Sequence, residues 1–253
     1  MRISAIILAA CLMAMSASPA LAGAWTQGEG ETLLITTARL GKADEGYDAY
    51  GFRSQSRDFE KREVEAYLEY GLRNSLTLVF APSYQSVDDS SRHESGLAYA
   101  DLGLRVRLYD GKFGVISVQP LLILPGTTSG SDNPLTGSGR LEEEARLLVG
   151  NDFTLFGLHG FQNVEAAYRY RGAERSQLRS DVTVGVDLGP RVQVFAKSFT
   201  ILGQDDFLMQ KVQGSLSYAL TPRWTVEGGY GITVAGRNVV AERTSFLALW
   251  FKY

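Results

Sequence analysis

Residues 63–73 read Glu-Val-Glu-Ala-Tyr-Leu-Glu-Tyr-Gly-Leu-Arg, and this stretch decides the fold class. Its even-numbered positions carry Val, Ala, Leu, Tyr and Leu, whereas four of its odd-numbered positions are charged. Successive side chains of a β-strand point to opposite faces, so the pattern predicts a strand with one apolar and one charged face. A helix would mix the two kinds of residue on all sides. The apolar face could contact either a soluble core or lipid.

Length and composition narrow the classes of protein to be considered. The chain has 253 residues, enough for one large β domain or two small ones. Its formal net charge of -3 gives no support to nucleic-acid binding through a basic surface. After the first residues there is no apolar run of about 18 residues, so the sequence predicts no transmembrane helix.

The N-terminus has the pattern of a secretory signal peptide. Arg2 supplies a positive charge, residues 5–15 form an apolar core, and Ala20-Leu21-Ala22 is a small-x-small cleavage site. An alternative is a lipoprotein signal at 8–11, which would leave a lipidated Cys11, although the apolar core before it would be very short. Cleavage after Ala22 would leave no cysteine, and hence neither a disulfide nor a thiol nucleophile. We therefore expect a cleaved signal peptide, residues 1–22, and a single mature domain, residues 23–253.

The mature chain contains twelve segments with strand-like alternation, separated by connections of two kinds. Short turns are predicted at 74–75, 110–112, 189–191 and 221–223, with a slightly longer one near residue 157. Longer polar loops are predicted at 41–59, 87–95, 125–139 and 236–243. The twelve predicted strands are 32–40, 63–73, 76–84, 97–109, 115–124, 141–151, 162–171, 178–188, 192–200, 211–220, 224–234 and 244–253.

Short and long connections alternate along the chain. Bacterial outer-membrane barrels have an even number of strands, short periplasmic turns and longer external loops. With both termini in the periplasm, twelve strands place every predicted short turn on the periplasmic side, and most segments reach the roughly 9–11 residues needed to span a membrane. The sequence therefore predicts an all-β, antiparallel, up-and-down transmembrane barrel in the outer membrane of a Gram-negative cell.

Aromatic residues agree with a membrane location. Tyr and Trp are typical of the two membrane–water interfaces of such barrels. The final strand ends in Tyr253, preceded by apolar residues at alternate positions, and resembles the C-terminal signal read by the barrel-assembly machinery. The aromatic residues near predicted strand ends are Tyr84, Tyr109, Tyr170, Tyr218, Trp224 and Trp250.

Four segments carry a resemblance to a known family. They are 101–109 (Asp-Leu-Gly-Leu-Arg-Val-Arg-Leu-Tyr), 124–128 (Leu-Pro-Gly-Thr-Thr), 163–172 and 178–181. In this pattern the chain resembles the outer-membrane proteins of the phenol-degradation MetA-pathway type, including the XagA-like proteins. The resemblance implies passage of small, including aromatic, solutes across the outer membrane. It brings no catalytic residues to carry over.

The charged faces of the predicted strands would line the lumen of the barrel. In one interpretation their opposite charges pair into a network that fills and rigidifies the barrel. In the other, part of the network lines a narrow polar path, with Arg105, Arg107, Arg169 and Arg171 as an anion-favouring ladder. The predicted lumen residues are Glu63, Glu65, Glu69, Arg73, Asp101, Arg105, Arg107, Glu142, Glu144, Arg146, Glu165, Arg169, Arg171, Arg179, Asp181, Lys197, Lys211 and Glu227.

An enzymatic site is disfavoured by the positions of the two histidines. His93 lies in a predicted external loop beside serine and acidic residues, and His159 lies near a predicted periplasmic turn, so neither is expected in the lumen as a general base. Acidic pairs and triplets lack metal-ligand spacing, and we expect no metal or other cofactor. These acidic pairs and triplets would instead be solvated surface, or would bind lipopolysaccharide through bridging divalent cations.

Two functions of different kinds follow from the sequence. The first is a non-enzymatic, porin-like channel for the transport of small solutes, aromatic or anionic. The second is a structural or adhesive barrel with an ion-paired, sealed lumen that acts through its external loops. An outer-membrane hydrolase is the third and least favoured hypothesis. Expected partners are outer-membrane lipid, lipopolysaccharide and the barrel-assembly machinery, and no nucleic acid.

Overall fold

The protein is a closed antiparallel β-barrel, as the sequence predicts. A computed structural model describes residues 23–89, 92–127, 140–171, 176–204 and 206–253. Within these ranges there are thirteen strands, of which twelve form the barrel wall and one, β12, is a two-residue bridge to β1. The strands are β1 Thr32–Tyr47, β2 Arg53–Arg73, β3 Leu76–Asp89, β4 Arg92–Gly111, β5 Gly114–Pro125, β6 Glu142–Leu155, β7 Leu158–Tyr170, β8 Gln177–Asp187, β9 Val192–Gly203, β10 Leu208–Ala219, β11 Trp224–Arg237, β12 Val239–Val240 and β13 Arg243–Lys252.

The first strand closes the barrel. β1 pairs with β2 on one side, where Leu34 is opposite Leu68, and with the last strand β13 on the other, where Ile35 is opposite Trp250. Each remaining wall strand pairs with its sequence neighbour. Every described wall strand is therefore hydrogen-bonded to a neighbour on each side, which is the condition for crossing a lipid hydrocarbon layer with strands.

Side chains alternate between an apolar outer face and a polar inner face. Outward-facing residues such as Leu104, Leu122 and Leu147 are 39–48% exposed. Their inward neighbours Arg105 and Glu144 are buried. The charged face of residues 63–73 thus lines the lumen, and its apolar face points outward, as expected for lipid contact. The described ranges contain no helix long and apolar enough to cross a membrane.

Connections at the two ends of the barrel differ in kind. Short turns join the strands at one end of the barrel, here named the turn end, where β1 also begins and β13 finishes. These turns are residues 74–75, 112–113, 156–157, 188–191 and 220–223. At the turn 156–157 both residues have positive φ, as a type I′ hairpin requires. The opposite end, here named the loop end, carries the other connections.

Two of the predicted long loops are wrong. Residues 41–47 and 53–59 continue β1 and β2, so that only 48–52 are loop, and residues 87–89 and 92–95 belong to β3 and β4. The polar sequence suggested loop, yet polar strands pair readily when cross-strand partners of opposite charge are available. Lys42 Nζ lies 3.0 Å from Glu60 Oε2, and Arg53 Nη1 lies 3.5 Å from Glu45 Oε2. The excess residues at the loop end are therefore largely strand that extends beyond the membrane-spanning band.

The other predicted connections are described in part. β5 ends at Pro125, and residues 128–139 of the predicted loop lie outside the described residues, as do residues 1–22 of the predicted signal peptide. In the predicted loop 236–243, β11 continues to Arg237 and β12 pairs with the far end of β1.

The outward face of β4 gives a test of its lipid contact. We expect Leu104→Arg to lower the free energy of unfolding by about 2–4 kcal/mol, because an arginine near the middle of the bilayer is costly on the lipid face. Leu97→Arg, on the same face but near the loop end, should cost about 0–1 kcal/mol. Equilibrium urea unfolding of barrels folded into lipid vesicles measures both. Equal costs for the two variants would contradict the assigned membrane band.

Candidate functional site

The residues that precede β1 lie inside the barrel. From the turn end, residues 23–31, here named the N-terminal segment, run back across the lumen, and Ala24 is completely buried. Near β1 the segment is held by two backbone hydrogen bonds with Gly71 of β2. Gly30 N–H donates to the Gly71 carbonyl oxygen, and Gly71 N–H donates to the Glu31 carbonyl oxygen. A Cβ at Gly71 would come 1.8 Å from the Gly28 carbonyl oxygen, so this close approach requires glycine.

The middle of the N-terminal segment is bound to β2, β3 and β4. Gln27 N–H donates to Thr77 Oγ1 at 2.8 Å, and its Nε2 donates to Glu69 Oε2 at 2.5 Å. Arg105 Nη1 donates to the carbonyl oxygen of Trp25 at 2.9 Å and lies 2.7 Å from Glu69 Oε1. The buried Glu69–Arg105 ion pair therefore supports the segment directly.

The start of the segment reaches the opposite wall of the barrel. Ala24 N–H donates to Asn163 Oδ1 on β7 at 2.8 Å, and Ser117 Oγ on β5 donates to the Ala24 carbonyl oxygen at 2.5 Å. Gly150 of β6 gives room for this contact, because a Cβ there would lie 2.6 Å from the Trp25 indole and 3.1 Å from Ala24 Cβ. The segment thus spans the lumen near the turn end.

Aromatic rings form the floor of the lumen beside the N-terminal segment. The Trp25 ring packs edge-on against Phe161, with ring centroids 6.0 Å apart, and Phe161 packs edge-on against Phe195, with centroids 6.2 Å apart. Phe195 packs against Trp250 in a tilted arrangement with centroids 6.1 Å apart. Phe161, Phe195 and Trp250 come from β7, β9 and β13 and are at least 94% buried. We name these four rings the aromatic floor.

Above the aromatic floor, toward the loop end, lies a dense group of arginines. Glu144 of β6 is its centre: Arg169 Nε lies 2.6 Å and Arg179 Nη1 3.5 Å from the same carboxylate oxygen, Oε2. Arg146 Nε donates to the other oxygen, Oε1, and its Nη1 lies 3.0 Å from Glu165 Oε2. Three guanidinium groups therefore share one buried carboxylate.

Neighbouring pairs extend this group around the lumen. Arg171 Nε donates to Glu142 Oε1 at 2.9 Å. On β9 and β10, Lys197 lies 3.3 Å from Glu227 and Lys211 lies 3.1 Å from Glu242.

A further cluster joins β1 and β2. Arg39 lies 3.6 Å from Glu63 and 3.4 Å from Glu65, and Lys61 lies 2.8 Å from Glu63. Acidic and basic groups thus alternate around most of the barrel wall.

Acids and bases differ in how far they face the cavity. The Glu69 and Glu144 side chains are 0% exposed and that of Glu227 is 3% exposed, whereas Arg179 and Lys197 are 23% and 21% exposed. Glu65, Glu165 and Glu242 are exceptions, at 14–19%. The most deeply buried carboxylates therefore lie against the wall beneath basic groups, and Asp101 and Asp181 face the open space together with these three glutamates.

That open space is a cavity of about 530 Å³ inside the barrel. Phe161, Phe195 and Trp250 of the aromatic floor, the arginines above it and Gly23 of the N-terminal segment border it. Four atoms of its lining residues are buried without a hydrogen-bond partner in the described structure: Asp101 Oδ1, Glu142 Oε2, Arg179 Nε and Trp250 Nε1. A volume of this size is typical of sites for small molecules.

The structure places the sequence-predicted lumen residues as follows. Arg73 and Arg107 lie near the turn end outside the cavity, where Arg73 is exposed and Arg107 pairs with Asp110 at 2.8 Å. The predicted ladder of Arg105, Arg107, Arg169 and Arg171 is therefore not formed, since Arg105 is 2% exposed beneath the N-terminal segment. Those that border the cavity or lie buried directly behind it are Glu63, Glu65, Glu69, Asp101, Arg105, Glu142, Glu144, Arg146, Glu165, Arg169, Arg171, Arg179, Asp181, Lys197, Lys211 and Glu227.

Sequence reasoning missed two parts of the site. Arg39 and Lys61 lie on inward positions of β1 and β2, and Lys61 falls between the predicted loop 41–59 and the predicted strand 63–73. The N-terminal segment has no strand-like alternation, and its only signal is Trp25 close to the predicted cleavage site. Its position depends on contacts with five different strands, which local patterns do not encode.

Both histidines lie away from the cavity. His93 at the start of β4 hydrogen-bonds through Nδ1 to Asp88, and the pair is largely exposed. His159 beside the turn 156–157 lies 2.8 Å from Asp187 and 3.7 Å from Asp152. Among the described residues, no group of three or more His, Cys, Asp or Glu side chains is arranged to hold a metal ion.

The fold and the polar, charged interior define the class: a twelve-stranded β-barrel of the outer-membrane type. No protein-family pattern matches the sequence, and no curated protein matches it. Solved structures do match. An outer membrane channel from Pseudomonas putida F1 superposes with a TM-score of 0.73 at 12% identity, covering 91% of this chain and 98% of the channel.

Two further structures show how widely this architecture is used. The NanC porin superposes with a TM-score of 0.59 at 11% identity and covers 86% of this chain and 98% of its own. The β domain of the Bordetella autotransporter BrkA superposes with a TM-score of 0.51 at 12% identity and covers 89% of this chain and 99% of its own. Identities this low show a shared fold, and channels and an autotransporter domain share it, so function must be argued from the interior.

The shared carboxylate gives a test of the charged network. We expect Glu144→Gln to lower the free energy of unfolding by about 3–5 kcal/mol, because it leaves three guanidinium groups without their buried counter-charge. Glu65→Gln, which removes a partly exposed partner 3.4 Å from Arg39, should cost about 1 kcal/mol or less. Urea unfolding in lipid vesicles compares the two. A cost for Glu144→Gln no larger than that for Glu65→Gln would contradict the central role of Glu144.

Proposed function

We propose that this protein is a non-enzymatic outer-membrane channel that passes small solutes carrying a negative charge and an apolar, such as aromatic, part. The observation that carries the proposal is the lumen cavity, in which basic side chains lie above an aromatic floor. The two histidines lie outside this cavity, which supports a binding role for the lumen in preference to acid–base chemistry.

The charge preference follows from the layering of acids and bases. The cavity is lined by nine basic and seven acidic side chains, and those of Arg39, Arg179 and Lys197 are the most exposed of the bases that pair with buried carboxylates. A solute in the cavity would therefore meet more positive than negative groups. In a confined lumen of low dielectric constant, basic groups on the surface favour anions over cations.

The aromatic floor supplies the second half of the preference. Phe161 and Phe195 border the cavity, and a solute ring that packs against the part of them that faces it would gain about 0.5–1.5 kcal/mol per contact. A solute that enters from the loop end would place its charge among the arginines and its apolar part against the floor. Small aromatic acids have this shape.

The N-terminal segment makes the path narrow. It crosses the lumen at the turn end and is tied to five strands, so the open cross-section lies between it and the charged wall. We therefore propose slow, selective passage and not the high flux of a wide porin.

The cellular setting is part of the same proposal. The turn end would face the periplasm and the loop end the exterior, where lipopolysaccharide would surround the extended strands. Residues 1–22 would be removed as a signal peptide, and the final strand ending in Tyr253 would be read by the barrel-assembly machinery. The four segments that resemble the phenol-degradation MetA-pathway type support placing the protein beside that group.

A sealed structural or adhesive barrel is the second candidate. The ion-paired interior and the N-terminal segment across it favour this alternative, because together they could close the lumen completely. Electrical conductance distinguishes the two functions, since a sealed barrel inserts into a bilayer without carrying current.

Ion selectivity tests the role of the arginines. Refolded mature protein in planar bilayers should give discrete current steps and a reversal potential that indicates anion preference. Arg179→Gln should shift the reversal potential toward cations, because it removes a charge that faces the cavity. Arg73→Gln, which changes an exposed arginine at the turn end, is the matched control and should leave the reversal potential nearly unchanged. A folded barrel that never conducts would support the sealed alternative.

Solute block tests the aromatic floor. Benzoate should reduce the ion current at lower concentrations than acetate does. Phe195→Ala should weaken the benzoate block roughly two- to tenfold, the equivalent of one aromatic contact, and leave the acetate block unchanged. Phe113→Ala, at an exposed turn, is the control. Equal block by benzoate and acetate in the unaltered protein would contradict the aromatic part of the proposal.

A further inference from the structure

We propose that the lumen contains a binding site for the carboxylate group of a solute, and that the chain's own Glu242 occupies this site when no solute is bound. The site, here named the carboxylate site, is formed by Gly41, Lys61, Lys211 and Thr244. The inference deepens the proposed channel function, on which its role in passage rests, whereas binding at the site can be measured without conduction.

Glu242 reaches the lumen from the connection between β11 and β13 and not from a wall strand. This connection is anchored on both sides of the carboxylate: Ala241 N–H donates to the Glu45 carbonyl oxygen at 2.8 Å, and Thr233 N–H donates to the Glu242 carbonyl oxygen at 2.9 Å. Ala241 is also buried in an apolar cluster with Tyr47. The backbone is therefore held in place, and only the Glu242 side chain has to move for another carboxylate to replace it.

Gly41 of β1 forms the floor of the carboxylate site. A Cβ at this residue would lie 1.8 Å from Glu242 Oε1 and 2.8 Å from Glu242 Cδ, so the carboxylate occupies the space that a side chain would take. The φ of Gly41 is not among the positive values, and its backbone would accept alanine. What glycine provides at this position is therefore room for a carboxylate.

Two lysines lie on either side of this floor. Gly41 is opposite Lys61 of β2 in one register and opposite Thr244 of β13 in the other. Lys211 Nζ donates to Glu242 Oε2 at 3.1 Å and to Thr244 Oγ1 at 2.6 Å, so the threonine fixes the position of the ammonium group. Lys61 attracts the same carboxylate electrostatically. A carboxylate above Gly41 thus lies between two ammonium groups, in a partly buried place where attraction between charges is stronger than in water.

The two lysines differ in how far they depend on Glu242. Lys61 also pairs with Glu63 at 2.8 Å, whereas Glu242 is the one carboxylate that pairs with Lys211 among the residues that the structure describes. Glu242 is 14% exposed and borders the cavity, so its side chain can turn into the open space when a solute carboxylate replaces it. Glu242 is then an internal competitor, and the apparent affinity for the solute falls by the fraction of time that it occupies the site.

The position of the carboxylate site makes it distinct from the aromatic floor. Thr244 lies near the beginning of β13, at the loop end, whereas Trp250 lies near the end of that strand, at the turn end. The carboxylate site is therefore on the side from which a solute enters.

Acetate is a suitable probe, because it is a carboxylate with almost no apolar part. Urea unfolding of barrels in lipid vesicles at neutral pH, with acetate or with the same concentration of chloride, gives the Kd of acetate from the added stability. Glu242→Gln should lower this Kd roughly three- to tenfold, because it removes the competing charge. Glu65→Gln removes one negative charge from another part of the same cavity and should have a smaller effect. An unchanged Kd in Glu242→Gln, or equal effects of the two variants, would overturn the proposal.

Gly41→Ala separates the site from general electrostatics. When it is added to Glu242→Gln, the methyl group takes the space of the carboxylate and should raise the Kd of acetate at least to its value in the unaltered protein, although the charge of the lumen stays the same. Gly214→Ala, at a position where a Cβ meets open space, is the matched control. Lys211→Gln in the same background removes the ammonium group and tests the site by a second route. Tight binding of acetate that persists in both double variants would contradict the assigned site.

Conduction distinguishes a failure of this inference from a failure of the proposed channel function. In a conducting barrel, Glu242→Gln should make acetate block the ion current at lower concentrations. If none of the barrels conducts, the channel function fails, and the Kd values still decide whether the carboxylate site exists. If the unaltered barrel conducts with an anion preference but Glu242→Gln leaves the Kd of acetate unchanged, the channel function stands and the carboxylate site is refuted.

Discussion

The pairing of the first strand with the last is the constraint on which the structure depends. Until β1 lies between β2 and β13, the sheet has two open edges whose backbone groups would be unsatisfied in lipid. Closure also creates the interior, because the inner faces of all the wall strands then enclose one lumen. The cavity and the place of the N-terminal segment follow from this one contact.

The interior combines stability and selectivity through burial. Buried carboxylates such as Glu144 are stable only because several guanidinium groups surround them, and one acid is shared by three bases. Sharing also joins β6, β7 and β8 through a single acidic side chain. The same network that links these strands lines the open space with charged groups of both signs.

Much of the fold could be predicted from the sequence, and the reason is the two-residue period of strands. The alternation in 63–73 and its eleven counterparts gave the strand number, the closed barrel and most inward-facing residues. Strand residues beyond the membrane, such as 41–47, bury only Ala43, Tyr47 and glycines, so their polar sequence predicts a loop. Arg107 falls outside the cavity because it lies at the turn end, near the end of β4. The N-terminal segment could not be predicted, because its place depends on distant strands.

The N-terminal segment also has a consequence for the order of assembly. Its partners Ser117 and Asn163 lie 93 and 139 residues along the chain from Ala24, whereas wall strands pair mostly with their nearest neighbours. Contacts this distant in sequence form late, because the intervening chain must first be ordered. The N-terminal segment is thus among the last parts to reach its final position. It settles only in a barrel whose fifth, sixth and seventh strands are already in register, so a chain with an error in that part of the wall would be left with a loose N-terminal segment that proteases could recognise.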